Sequence, residues 1–463
     1  MRNIRYIIIL LSLSQFLVSC NKDEIATASL KLDLELDLES ARNGVTRNST
    51  EEFVPGEVLV KFKKGKSLVG KGKAVGLLKG KVKEHVHTES MKRSGDHEGV
   101  FVMSVMEDAK SASKKAKTLD EVEIAEPNWI YHHQAISNDT YFTNLSQNLW
   151  GMGAGGNIYG IGASTAWAAG KIGSSEVYVG IIDEGYQFSH VDLAANAGKN
   201  PKEKAGNKRD DDRNGLKDDI YGWDFAGNNN SVYDGSKSKQ SIDAHGTHVA
   251  GTIGGVGGNG AGVVGVCWKV KFISAKFLGT RGGTTANAIK AVDYMTNLKK
   301  AGLNLVATNN SWGGGGYSQL LYDAIKRAND QDILFIAAAG NDSRNNDASS
   351  SYPANYDLPN VISVAAINSN GALSWFSNYG ATKVHLGAPG EGIISTVPFN
   401  RYSSYNGTSM ATPHVTGAAA LYKSINPAAT AADIKAAILG SVVATPSLSG
   451  KTITGGRLNV SGF

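Results

Sequence analysis

Residues 179–190 read VGIIDEGYQFSH, an apolar run that ends on two adjacent carboxylates, Asp183 and Glu184. Such a run fits a strand buried on both faces, the kind found in parallel sheets. Similar runs recur further on, as VKFISAKF, LVATNNS, ILFIAAAG and VISVAA, with helical stretches between them. Strands alternating with helices predict an α/β fold, a mostly parallel sheet with helices on both faces. Adjacent strand residues point to opposite faces, so Asp183 and Glu184 are not expected to work as one acid/base pair.

Away from this region the chain divides by texture. Arg2 and Arg5 precede a largely apolar stretch, Tyr6 to Val18, that is too short to span a membrane and reads as a signal peptide. Its end, Leu17-Val18-Ser19-Cys20, resembles the lipobox of bacterial lipoproteins, which implies lipid on Cys20 and a membrane anchor. The alternative is an ordinary secretory signal with an incidental cysteine. Asn21-Lys22-Asp23-Glu24 resembles the acidic signal that sends some lipoproteins to the cell surface. The expected location is therefore the bacterial outer membrane or cell surface. Residues 21–51, with KLDLELDLES, read as a polar tether, and residues 52–137 as a small α+β domain. Residues 138–463 are long enough for one large core, and no internal repeat is apparent.

Composition removes other classes. Cys267 is the one cysteine besides Cys20, so two folded-domain cysteines cannot pair. It lies in the apolar VVGVCWKVKFISAK without a histidine, which suits packing rather than nucleophilic chemistry. The net charge of +5 owes much to lysines in residues 61–83, and nucleic-acid binding is not supported.

Three motifs carry the chemistry: the strand ending at Asp183, DAHGTHVAGT at 243–252 and NGTSMATPH at 406–414. Singly, Asp183 reads as a turn cap, His245 as a structural histidine and Ser409 as a helix N-cap. Together they supply a carboxylate, an imidazole and a hydroxyl, the parts of a nucleophilic triad. Each sits at a strand end or a helix start, where catalytic groups of open α/β sheets gather.

VGIIDEG, HGTHVAGTI and NGTSMATPHVTGAAAL resemble the three signature segments of the subtilisin-like serine proteases. The chain order Asp, His, Ser is the subtilisin order. The resemblance covers nearly all of residues 138–463 and implies that Asp183 orients, His245 is base then acid, and Ser409 is the nucleophile. It also implies an oxyanion hole from the Asn341 amide and the Ser409 N–H, because Ala338-Ala339-Gly340-Asn341 resembles the family's asparagine motif. Alone, Asn341 reads as a turn asparagine. Ser311-Trp312-Gly313 and Arg281-Gly282-Gly283 resemble the two rims of the substrate cleft, with Ala338 and Gly340 beside them, where an extended peptide would add as a strand. Tyr352-Pro353 resembles a family position whose peptide bond is cis.

No cofactor is expected for catalysis, but a structural calcium is. Asp210, Asp212, Asn214, the Leu216 carbonyl and Asp218 have the spacing of the front half of a calcium loop. The closing glutamate of an EF-hand is missing, since its place falls on Tyr221. A solvated acidic turn is the rival.

The small domain resembles the inhibitory propeptides of these proteases, with VEIAEPNWIYH as the matching element. The expected partners are thus protein or peptide substrates, the chain's own propeptide, and the membrane through Cys20. Self-cleavage is expected near 133–138, which would release the protease unless propeptide and enzyme stay associated. Two other classes compete: a catalytically silent peptide-binding lipoprotein on the same fold, and the related acid-active fold using Glu and Asp with Ser. His245 fills the base position and speaks against the second. The family usually carries a small hydroxyl residue where this chain has Glu184, so DEG is a departure.

Overall fold

Strand and helix periods meet first in the N-terminal unit. The computed structural model describes residues 53–129, 137–144, 148–236, 238–239, 241–280 and 282–463. Cys20, the tether and the expected processing segment up to residue 136 lie outside the described residues, as does Arg281. The unit comprises β1 (Phe53–Phe62), α1 (Leu68–Leu77), β2 (Lys81–Val86), α2 (Glu89–Arg93), β3 (Val100–Ser104), α3 (Ala109–Ala116) and β4 (Val122–Trp129). Its antiparallel sheet has the order β2-β3-β1-β4. Val58, Val60 and Phe62 alternate inward from β1, and Ala109, Ala112 and Ala116 line the same core at helical spacing. Ser67 and Asp108 cap α1 and α3 by accepting the N–H groups of Gly70 and Ser111.

The second unit is built on a nine-stranded sheet. After α4 (Thr140–Thr143) and α5 (Ala163–Ala168) come β5 (Gly173–Asp183), β6 (Gly222–Asp224), α6 (Ala244–Gly254), β7 (Lys269–Lys276), α7 (Thr285–Lys300), β8 (Leu305–Asn310) and α8 (Gln319–Asn329). They are followed by β9 (Leu334–Ala338), β10 (Val361–Ile367), β11 (Leu386–Pro389), the hairpin β12 (Ile393–Val397) and β13 (Arg401–Tyr405), α9 (Thr408–Ile425), α10 (Ala431–Gly440), β14 (Val443–Ala444) and β15 (Gly456–Arg457). The sheet order is β14-β15-β11-β10-β9-β8-β5-β7-β6. Every pairing in it is parallel except β14 with β15.

Both faces of this sheet are buried, as the unbroken apolar runs predict. Along β9, Leu334 and Ile336 join the core shared with α6 and α9, while Phe335 and Ala337 join that of α7 and α8. Chain order reverses at β5, because β7 lies on one side of it and β8 on the other. A crevice opens beyond the carboxyl ends of the strands at such a reversal. Cys267 is fully buried, with Sγ against the Gly417 carbonyl, in keeping with packing. Among the described residues no helix is long and apolar enough to cross a membrane.

Candidate active site

Asp183 ends β5 fully buried, and its two oxygens lie 2.9 and 3.1 Å from His245 Nδ1. A carboxylate can only accept here, so Nδ1 carries the proton and Nε2 is left as the basic nitrogen. His245 is the second residue of α6 and keeps 31% of its side chain exposed. Burial works against its charged form, but Asp183, and then Glu184, outweigh that and raise it to about 9. The glycines of HGTHVAGT let α6 approach closely. A Cβ on Gly246 would run into the Gly185 carbonyl, and one on Gly251 into Ser395 and Thr396 of β12.

Ser409 is the second residue of α9 and is half-buried. Its Oγ donates to the Ser311 carbonyl at 3.2 Å. Pro413 lies inside this helix. It lacks the N–H that would bond the Ser409 carbonyl one turn back. Ser311 Oγ donates to that carbonyl instead, at 2.8 Å, and itself accepts from Asn309 Nδ2. Ser311, expected at the cleft rim, is therefore buried and locked to Ser409 by reciprocal bonds.

Asn341 follows β9. Its Oδ1 accepts both the N–H and the hydroxyl of Thr408, each at 2.8 Å, which leaves Nδ2 as the outward donor. The Ser409 N–H lies in the first turn of α9 and has no acceptor within the helix. These two donors flank one point: a Cβ built on Gly407 would lie 3.5 Å from Ser409 N and 3.6 Å from Asn341 Nδ2. Thr408, which nothing in the sequence singled out, sets this arrangement.

Trp312 packs edge-on against Phe277 at 4.8 Å, and a Cβ on Gly283 would meet that same phenylalanine ring at 2.6 Å. Trp312 and Gly283 thus lie against one aromatic side chain. Gly282 and Gly313 are exposed beside them, and Ala338 and Gly340 lead into Asn341. The Gly340 N–H donates to Thr408 Oγ1. The Tyr352-Pro353 bond is cis, and the Tyr352 carbonyl accepts the Gly314 N–H.

Glu184 differs from its expected direction. The strand ends at Asp183, so alternation no longer governs the next residue. The Glu184 carboxylate turns to α6, where Oε1 accepts the His245 backbone N–H at 2.6 Å. Burial, and then the charge of Asp183, raise Glu184 to about 7.

In the acidic loop, Asp210 accepts the N–H groups of Asn214 and Gly215, and Asp218 those of Asn207 and Lys208. Asn214 Oδ1 accepts the Leu216 N–H. The carboxylates that converge are Glu203, Asp212 and Asp219, all with ligand atoms within 4.8 Å of one another. Of these, only Asp212 belongs to the set that the spacing picks out. Asp219 is fully buried and Glu203 8% exposed, with Glu203 Oε2 unpartnered; burial raises both groups.

The nine-stranded, mostly parallel sheet with helices on both faces is a subtilisin-like α/β fold. Residues 174–455 match the subtilase family and residues 39–128 the fervidolysin N-terminal prodomain. The first match spans more than half of the chain, which belongs to the subtilase family. The chain is 37% identical over 277 residues to subtilisin-like protease 2 of Plasmodium falciparum, covering 58% of this chain and 19% of that protein. It is 33% identical over 346 residues to the extracellular basic protease of Dichelobacter nodosus, covering 70% of this chain and 54% of that one. Among solved structures, a protease of Pseudoalteromonas arctica aligns with a TM-score of 0.53 and 28% identity, over 71% of this chain and 98% of its own. The chain therefore spans about a fifth and about half of the two curated relatives.

Proposed function

We propose that the chain is an exported serine endopeptidase made as a self-processing zymogen, with Asp183, His245 and Ser409 as its triad. One observation carries this reading: buried Asp183 holds His245 Nδ1, and the Ser409 N–H shares a point in space with Asn341 Nδ2. In the reaction, the Ser409 hydroxyl leaves the Ser311 carbonyl and turns toward His245. Oγ bonds to the scissile carbonyl carbon as its proton passes to Nε2, and the carbonyl oxygen takes the negative charge between Ser409 N–H and Asn341 Nδ2. The C–N bond then breaks, the imidazolium protonates the leaving amine, and an acyl-Ser409 remains. Water, activated by the same nitrogen, frees the acid. Asp183 holds the ring and stabilises its charge without taking the proton.

Residues 52–137 are proposed as the inhibitory propeptide, removed by cleavage near 133–138; the prodomain match supports this. Cys20 is proposed as the lipid anchor on the strength of LVSC, and the substrate as an extended peptide between residues 281–283 and 311–313. Conversion of the precursor tests the proposal. Mass spectrometry should find wild type cut at the junction and Ser409→Ala intact, with peptide hydrolysis down by ~10⁶-fold, the loss known for another member of this family. Equal processing of both would exclude self-cleavage.

Calcium is proposed in the acidic loop, held by Glu203, Asp212 and Asp219. These are hard oxygen donors, and the unpartnered, buried Glu203 Oε2 fits a cation ligand. Its contribution would be to order the loop, with no part in the chemical step.

A further inference from the structure

We infer that Glu184 is a positioning residue for His245, capping the helix that carries the imidazole and holding a second negative charge beside the ring. Helix α6 starts without help from its own N-cap. Asp243 takes a left-handed backbone (φ 60°) and its side chain makes no capping bond. That carboxylate is instead committed to Lys276 Nζ, at 2.7 Å, and to the Asp234 N–H. The first-turn N–H groups of a helix have no intrahelical partner, and His245 is the second residue of this one. Glu184 supplies the missing acceptor from the end of β5, at 2.6 Å.

The same dipeptide therefore grips His245 twice. Asp183 fixes the imidazole through Nδ1, and Glu184 fixes the backbone from which it hangs. The two acids are themselves tied, since the Glu184 N–H donates to Asp183 Oδ1 at 2.8 Å. A carboxylate at a helix N-terminus also meets the positive end of the helix dipole. The contact uses the full length of a glutamate, so the departure from the family's small hydroxyl residue has a mechanical counterpart.

The charged and titratable groups around the pair are few. Asp183 faces it from β5 and Asp243 from the N-cap of α6, the latter paired with Lys276 of β7, which also holds Asp234, so that Asp243 still adds to the rise of Glu184. His248 lies one turn along α6; its Nε2 donates to the Ile393 and Ser403 carbonyls of the β12–β13 hairpin. Burial holds it neutral, lowered to about 3. Tyr405 of β13, also raised by burial, stacks on His248 and feels the Glu184 charge. Above about pH 7, where Glu184 is ionised, and with His248 neutral, Glu184 is the second negative charge that His245 feels after Asp183. Its loss must lower the imidazole's proton affinity, and activity that needs the neutral ring then survives to lower pH.

This role rests on His245 being the base proposed above, and two variants separate its parts. Glu184→Gln keeps an acceptor of the same length and drops the charge; Glu184→Asp keeps the charge and falls one methylene short. In the mature protein, Glu184→Gln is expected to move the acid limb of kcat/KM down by about one pH unit and to lower the plateau kcat by about 3-fold. Glu184→Asp is expected to lower kcat by about 10-fold or more, with KM within about 2-fold and a smaller movement of the acid limb. Wild-type kcat and an unmoved acid limb in both variants would overturn the inference. Should either variant fail to accumulate, the His245 amide resonance of ¹⁵N-labelled wild type decides. A titration step separate from that of the imidazole supports the Glu184 contact, and a single step overturns it. Wild type that hydrolyses no peptide at any pH would instead sink the proposed activity, a different failure.

Discussion

At the scale of single residues, the proposed oxyanion site is the sharpest feature of this molecule. Thr408 occupies both lone-pair directions of the Asn341 amide oxygen, so the amide nitrogen cannot turn away. Gly407 keeps clear the space that this nitrogen shares with the Ser409 N–H. Asn341→Ala should lower kcat by about 10²- to 10³-fold with little change in KM, the size of loss known for such a donor in another family member. Gly407→Ala should lower kcat as well, although both donors remain, because its methyl group stands beside each of them. Steady-state kinetics on one peptide measures both; a Gly407→Ala enzyme with wild-type kcat would mean that the donors do not converge on the reacting oxygen. Asp183, His245 and Ser409 were singled out in the sequence by short motifs that hold the parts of a triad, and Asn341 was singled out by the family resemblance. Thr408 was not, since its task depends on a neighbour 67 positions away in the chain.

At the scale of elements, periodicity exposed the strands and helices, while contacts between elements stayed hidden. The runs VYVGII and ILFIAAAG predict strands buried on both faces, and alternation along β9 into two cores is the structural counterpart. Alternation misdirected Glu184 because the strand stops one residue earlier, at Asp183. The acidic loop shows the other limit. Local spacing favoured Asp210 and Asp218, which accept the loop's own N–H groups as Asp212 and Glu203 Oε1 also do, while the carboxylates that converge include Glu203, seven residues before the run. Calcium at 100 times its Kd should raise the Tm of the mature protein by about 4 °C over the chelated form. Glu203→Gln should abolish most of that difference while Asp218→Asn keeps it. Differential scanning calorimetry reads both, and an equal calcium response in all three proteins would remove Glu203 from the ligand set.

At the scale of the whole molecule, the chain joins a small antiparallel unit to a large parallel one, and each has its own core. The fold class was readable from alternating strands and helices, but the sheet order was not. It depends on which strands return beside β5, and every βα connection allows either side. That order brings Asp183, Ser311, Ala338 and the end of β7 to one edge, and so assembles a site from segments far apart in the sequence. The central claim is that Ser409 is a nucleophile activated by His245. Labelling the mature protein with a fluorophosphonate and mapping the adduct by tandem mass spectrometry tests it most directly. One adduct per chain on Ser409, absent in Ser409→Ala and strongly slowed in Asp183→Asn, is the expected result. A mature, folded protein with no label on Ser409 would contradict it and leave a peptide-binding protein on a subtilisin-like frame.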